Sequence, residues 1–579
     1  MPEKPLTGKI MAALLLSFCV LAMSNTPPIA LKVRELGDRY QQKKAAGYDL
    51  SEVDKTIAQL QKARREGDRD RFAALLKKAE AQLEAAPPPA SGSGTAGEKT
   101  APLPPLAPLS DKVVLADAPW PMYGHDPRHT CRSPFRGLTV PPAGPKWIFP
   151  APGGPRGFTS SIAVGADGLI YAGTAQNADF MSDKAAGHSG VLYAISPDGR
   201  KVWQHDSRSG SPLICMIESG PLLTADGRII YGKDDGFIYA LDNHGRELWR
   251  FAAGDAYVPG QHDDNEQFIP SPVLGPDNTL YDLSHFGNVY TPRTITALKK
   301  IPPLKRVIDQ YGIKGVDRPV WGKVYALNAR TGDGKWIFDP STDRPFNKIT
   351  FFGSPAVGRD GTLYAAAYSN TREGYLYAFN PDGTLRWTYP GETGNKIQAL
   401  CSSPAIGDDG TIYVGSYGDR ENAGLYAFNS DGSLKWRFEI TENRITSGPG
   451  LGPDGTLYFG SHNHPASAGS DRPPRGCLYT VKDTGTGAEL KWKFDVKYGI
   501  TASPAIDRDG NVFFCLTSIQ PVPYGSLGDY CFYALSSTGE KMWEYPLKGY
   551  AWGAPAIGKD GTIYVGVIQG EAGVVAFGP

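Results

Sequence analysis

Ser403-Pro-Ala-Ile-Gly-Asp-Asp-Gly-Thr-Ile-Tyr413, followed ten residues later by Gly424-Leu-Tyr-Ala-Phe-Asn-Ser-Asp-Gly-Ser-Leu-Lys-Trp436, is the stretch on which the fold turns. Each half holds two short runs of β-forming residues hinged on an Asp-Gly turn, so the unit reads as four strands: A, hairpin, B, loop, C, hairpin, D. The A-B turn recurs at Asp167, Asp226, Asp277 (followed by Asn278), Asp360, Asp409, Asp454, Asp509 and Asp560. Strand C carries Tyr193, Tyr239, Tyr325, Tyr377, Tyr426, Tyr479 and Tyr533, with Val575 in the eighth copy. Eight of the eleven tryptophans (Trp147, Trp203, Trp249, Trp336, Trp387, Trp436, Trp492 and Trp543) repeat in strand D at 46 to 56 residues, with one interval of 87 where blade 3 is enlarged.

Eight units of this length cannot bury both sheet faces singly; stacking radially about an axis does so and leaves only short edges. The sequence therefore predicts an all-β, eight-bladed β-propeller of four-stranded antiparallel blades over 145–579, preceded by a small α-helical N-terminal segment. The last unit stops after Val574-Val-Ala-Phe577 without a strand D, and Lys146-Trp-Ile-Phe149 is a strand D with nothing before it. Closure should pair the two.

The Asp-Gly turn, the Leu-Tyr-Ala-Phe strand and the terminal Trp resemble the pyrroloquinoline quinone (PQQ) repeat. Pro119-Trp-Pro-Met-Tyr-Gly-His-Asp-Pro-Arg-His129 looks like the strap, here 119–144, that leads into the first blade of PQQ-like propellers. This resemblance implies the quinoprotein-alcohol-dehydrogenase-like superfamily. That group includes true dehydrogenases holding PQQ and calcium, an outer-membrane barrel assembly propeller that binds only proteins, and scaffold propellers. The dehydrogenases characteristically hold the quinone against two adjacent cysteines in disulfide. No two cysteines are adjacent here, so no catalytic residue is assigned, no cofactor is expected, and PQQ with calcium stays as the alternative.

The ends and the composition narrow the setting. Lys4 and Lys9 precede the apolar run Ile10 to Met23, and Ala22-Met23-Ser24 offers a cleavage site, so 1–24 reads as a signal peptide and the chain as periplasmic or extracellular. Phe18 before Cys19 argues against a lipoprotein. Residues 25–86 read as two or three helices with Val53, Ile57 and Leu60 on one face, Phe72, Leu75, Leu76, Ala79 and Leu83 on another, and Ser51 and Asp68 as N-caps. The Pro/Gly/Ser-rich run 87–118 reads as a linker. Glycine (69) and proline (49) make about one residue in five, against a mostly helical enzyme. Lys+Arg and Asp+Glu balance at 60 each, so no global field gathers nucleic acid.

Several groups invite a chemical reading. His262-Asp-Asp-Asn-Glu266 could offer hard oxygens to a cation, but lacks the full spacing of a calcium loop and reads as a solvated acidic loop. His462 with His464, and His125 with His129, are metal-compatible pairs, yet two ligands do not make a site, and no metal is assigned. Cys515 and Cys531 flank the B-C loop of blade 7 and are expected to form a disulfide.

Before strand A, Glu218 stands where other blades carry Thr159, Ile269, Phe352, Cys401, Thr446, Thr501 and Trp552. The next residues, Ser160, Ser219, Pro270, Gly353, Ser402, Ser447, Ala502 and Gly553, are compact, as the taper towards the axis requires. A-B and C-D turns are short and share one face; the B-C and D-A connections on the other are long, including 172–190, 204–218, 252–268, 461–475, 516–530 and the insertion around 291–321. The sequence thus points to a non-catalytic scaffold that binds a protein or small ligand over the long-loop face, with Glu218, His262, Asp263, Phe352 and Trp552 as candidate contacts. Outer-membrane protein assembly is a further alternative, resting on fold analogy.

Overall fold

The computed structural model describes residues 69–85 and positions 53, 55, 56, 59 and 60 of the N-terminal part. Of the rest it describes 101–151, 157–175, 190–206, 216–253, 266–286, 322–340, 349–369, 371–391, 397–418, 423–440, 444–463, 475–517, 530–568 and 572–579. Arg69–Ala85 is helical directly after the expected cap Asp68. Its Phe72, Leu76, Ala79 and Leu83 are buried, as are Val53 and Leu60, and Thr56 Oγ1 donates to Gln82 Oε1 at 2.6 Å across the pair. None of the described helices is long and apolar enough to cross a membrane.

The remainder is eight four-stranded antiparallel blades. Blade 5 shows the repeat: Ala405–Ile406, Ile412–Tyr417, Gly424–Phe428 and Leu434–Glu439 pair in that order. The A-B turn works because Asp409 Oδ1 accepts the Thr411 N–H at 3.0 Å while Gly410 takes φ 84°. Blade 3 meets the same demand with Asn278 at φ 62°, the non-glycine residue type best suited to it.

Blades are joined by the strand D tryptophans. The indole of Trp387 lies against Gly432 in the C-D turn of the next blade, and its Nε1 donates to Ser430 O at 3.0 Å. Trp147, Trp203, Trp336 and Trp492 make the same bond one blade on. Blade 8 has no continuous C-D turn, and there Trp543 Nε1 donates instead to Leu138 O of the strap at 2.7 Å.

Closure is as the sequence predicts: Trp147–Pro150 pairs with Gly573–Phe577, Trp147 opposite Ala576 and Phe149 opposite Val574. Around the axis, a serine of one blade takes the backbone N–H of the preceding blade. Gly220 donates to Ser271, Ser271 to Ser354, Ser354 to Ser403 and Ala554 to Ser161, all within 3.0 Å. The last of these joins blade 8 to blade 1.

The expected disulfide is not made: Cys515 and Cys531 are not joined. Strand register explains it. Cys515 stands opposite Phe532, so Cys531 is one residue off and projects from the other sheet face. Cys131, Cys401 and Cys477 are not joined to one another either.

Candidate binding site at the channel mouth

The two ends of the channel are finished differently. At the short-turn end the segment from Ala101 onward runs from blade to blade. Asn243 of blade 2 holds Pro105 and Ala107, Asp226 and Arg228 hold Ser110, and Asn278 of blade 3 holds Val113. The strap then bonds to the last residues of strand A: Trp120 with Val164, Pro127 with Val357, Arg128 with Ile406, Thr130 with Leu451 and Cys131 with Ile506.

Tyr123 lies across the axis itself. Its Cβ is against Gly220 of blade 2, and its hydroxyl meets Ser503 at 2.7 Å beside Gly448 of blade 6, the blade opposite. A Cβ at Gly448 would stand 2.9 Å from that hydroxyl, which is why these two blades carry glycine where four others carry the bonded serine. The strap is tightly wound, with His125, His129 and Cys131 at positive φ. Burial holds the His129 imidazole near pKa 4, with Nδ1 at 3.1 Å from Pro404 O. Burial works against ionisation of Asp126 as well, but the neighbouring His125 and the hydrogen bond from Thr130 outweigh it and hold the carboxyl at about 2. His125 and His129 therefore pack the strap, and among the described residues no three His, Cys, Asp or Glu side chains are grouped to hold a metal.

At the long-loop end the compact tier is structural, as its taper implies. Ser160, Ser219 and Ser402 accept the backbone N–H of Gly173, Gly232 and Gly415 within their own blades. A Cβ at Gly553 would strike the Ser160 carbonyl at 2.1 Å. One residue outward, Glu218 occupies blade 2, Phe352 blade 4 and Trp552 blade 8. Phe352 is 43% exposed, with its ring edge-on to His285 at 5.5 Å. Trp552 is half-buried beside Tyr550. His262, Asp263 and His464 lie outside the described residues, as does the insertion around 291–321.

Blade 2 departs from its neighbours in more than Glu218. Asp234 N–H donates to Met216 O at 3.2 Å, setting Asp234 two positions along from Glu218 at the end of strand B. Asp234 is 5% exposed, and its Oδ1 has no hydrogen-bond partner among the described residues. Burial lifts the Glu218 carboxyl to about 7, and burial, then the Glu218 charge, raises Asp234 well above the usual carboxylate range. Behind them Lys233 pairs with Asp235 at 3.4 Å, both fully buried, and Tyr239 donates to the same carboxylate at 2.9 Å. Asp282 of blade 3 is another buried acid whose Oδ2 has no partner, set against Gly232. Across the ring Arg444 bonds the Tyr417 hydroxyl and lies over its ring at 4.1 Å.

Sequence reading found Glu218, Phe352 and Trp552 by position in the repeat but missed Asp234, Asp282, Arg444 and Tyr123. A signal for the first two was available: Lys233-Asp-Asp235 and Asp282 put carboxylates at strand B positions where the other blades carry none.

Residues 188–285 and 320–451 match the model of the family described as outer membrane protein assembly factor BamB. No curated protein matches the chain. Among solved structures, a europium-containing methanol dehydrogenase is 16% identical at TM-score 0.53, covering 79% of this chain and 90% of its own. The quinohemoprotein alcohol dehydrogenase ADHIIG from Pseudomonas putida HK5 is 16% identical at 0.54, covering 79% and 77%. BamB from Moraxella catarrhalis is 13% identical at 0.42, covering 74% and 99%. Identities this low speak for the fold and leave the chemistry open. Eight blades with their turn and tryptophan repeat make the chain an eight-bladed β-propeller, with the family match confined to two stretches of it.

Proposed function

We propose that this chain is an exported, non-catalytic propeller that binds a protein partner or small ligand over its long-loop face and the channel mouth. The observation that carries the reading is the asymmetry of the two ends: a strap bonded from blade to blade occupies one, while the other carries half-buried and exposed aromatic and acidic side chains. The lysine-flanked apolar run at 4–23 supports export. The test is capture from an envelope extract by the purified chain. Glu218→Lys, Phe352→Ala and Trp552→Ala should abolish capture with the melting temperature nearly unchanged. Equal loss from substituting the exposed Asp408 and Arg359 on the Asp-Gly face would overturn the reading.

A second reading, a PQQ- and calcium-dependent oxidoreductase, draws on the likeness to the two dehydrogenases. The described residues of the mouth fit that quinone poorly. To that anionic quinone they offer two acids, Glu218 and Asp234, that burial makes hard to ionise, and an Arg444 engaged with Tyr417. Dye-linked oxidation of alcohols or sugars after loading with PQQ and calcium would decide for it.

A further inference from the structure

We propose that the run Ala101-Pro-Leu-Pro-Pro-Leu-Ala-Pro-Leu109 is a second docking surface, displayed as a polyproline II helix for a partner protein whose groove is lined by aromatic side chains and rimmed by acid. It stands at the short-turn end, apart from the mouth.

The backbone is set by the sequence. Pro102, Pro104, Pro105 and Pro108 lock φ at about −65°, and the residue before each is pushed towards extended backbone, so only Leu106 and Leu109 keep a free choice. The resulting helix turns once in three residues and makes no internal hydrogen bond. Accordingly, the bonds of this run among the described residues all go to the blades. Ala101 N–H donates to Lys201 O at 2.8 Å, and His244 Nε2 meets Pro104 O at 2.7 Å. Asn243 Nδ2 donates to Pro105 O at 2.6 Å, and its Oδ1 accepts the Ala107 N–H at 3.2 Å. Burial keeps the same period. Ala101 is buried, Pro104 and Ala107 are half-buried, and a Cβ at Gly227 would stand 2.6 Å from that of Ala107. The other two ridges face away from the blades: Pro102, Pro105 and Pro108 are exposed, and Leu103, Leu106 and Leu109 are 53, 54 and 47% exposed.

A row of exposed leucines beside a row of exposed prolines is an apolar patch that folding does not require. It presents three Pro-Leu pairs one turn apart, about 9 Å from pair to pair. Grooves of aromatic rings take such pairs, and a helix already held by blades 1 and 2 loses little entropy on binding. Charge narrows the partner further. No charged residue interrupts the run, and just beyond it Asp111 pairs with Arg330 at 2.9 Å, which leaves exposed Lys112 with no ion pair among the described residues. An acidic rim complements that cation. An anionic lipid surface fits less well, because the C-D turns at the same end expose Asp198, Asp382 and Asp431.

The test replaces Leu106 by photoreactive p-benzoylphenylalanine in the full chain and irradiates it in an envelope extract. The expected product is an adduct with one protein, mapped by digestion to a site lined with aromatic residues. A peptide of residues 101–112 should suppress the adduct at about tenfold lower concentration than the same peptide carrying Pro102→Ala, Pro105→Ala and Pro108→Ala. In the labelled chain, Leu103→Ser with Leu109→Ser should abolish the adduct at unchanged melting temperature, and Lys112→Glu should weaken it. An adduct with lipid or with a second copy of the chain, equal suppression by the two peptides, indifference to Lys112→Glu, or no adduct would each overturn the proposal. Glu218→Lys, Phe352→Ala and Trp552→Ala should leave the adduct intact, so this surface and the mouth stand or fall separately.

Discussion

The short-turn and long-loop ends are cut from the same eight repeats, yet at one the inner strand ends are used up by the chain and at the other they are left for something else. Under the strap, strand A in six blades exchanges backbone bonds with residues 114–135, and blade 7 lends its tryptophan to Leu138. At the mouth the matching positions vary from Thr159 to Trp552, and the described residues give them no common contact. Where one partner must fit all blades at once, the residues are constrained by that partner; where none does, each blade can differ, and blade 2 does.

If that contrast is right, the floor should be costly to disturb and the mouth cheap. Trp120 is 1% exposed and backbone-paired to Val164. Trp120→Ala should lose about 3–5 kcal/mol, while Phe352→Ala should stay within about 0.5 kcal/mol. Denaturant midpoints measure both. Comparable losses at the two sites would erase the distinction.

A smaller effect sharpens it to one contact. Gly448→Ala places a methyl 2.9 Å from the Tyr123 hydroxyl and 2.7 Å from Ser503 Oγ. The expected cost is about 1–3 kcal/mol. Tyr123→Phe removes the blocking oxygen, so the double variant should recover part of that loss; strict additivity would mean that Tyr123 does not rest where the glycines make room for it.

Legibility in the sequence followed the same division. Blade number, closure by Trp147 and the serine and glycine tier could be read because they recur, and each recurrence is forced by one local need: a positive φ after Asp, a small residue near the axis, an indole against a turn. The strap could be placed but its route could not, since Tyr123 meets Gly220 and Gly448 across nearly a hundred and more than three hundred residues of sequence. Asp234 escaped notice because its meaning depends on burial and on lying two positions from Glu218, neither of which a repeat reveals. The Cys515–Cys531 pairing failed on a register step of one, which loop length alone does not fix.

The last contrast is electrostatic, and the two ends should answer pH with opposite sign. Asp126 in the strap titrates at about 2, below the 3.8 of an unperturbed aspartate. Its stabilisation is therefore complete above about pH 4 and is lost as pH falls towards 2. Glu218 titrates at about 7 against 4.5 unperturbed, and Asp234 is raised with it. Their favourable contribution is complete below about pH 4.5 and is lost as pH rises through 7, where buried carboxyls must ionise. Asp126→Asn should thus destabilise at pH 7, by about 1–2 kcal/mol, and converge on the parent chain near pH 2. Glu218→Gln with Asp234→Asn should match the parent at pH 4 and exceed it at pH 8. Denaturant midpoints for the three chains across pH 2 to 8 provide the measurement. A mouth variant that is less stable than the parent at pH 8 would mean that the carboxyls are already satisfied there, and would erase the contrast in sign between the two ends.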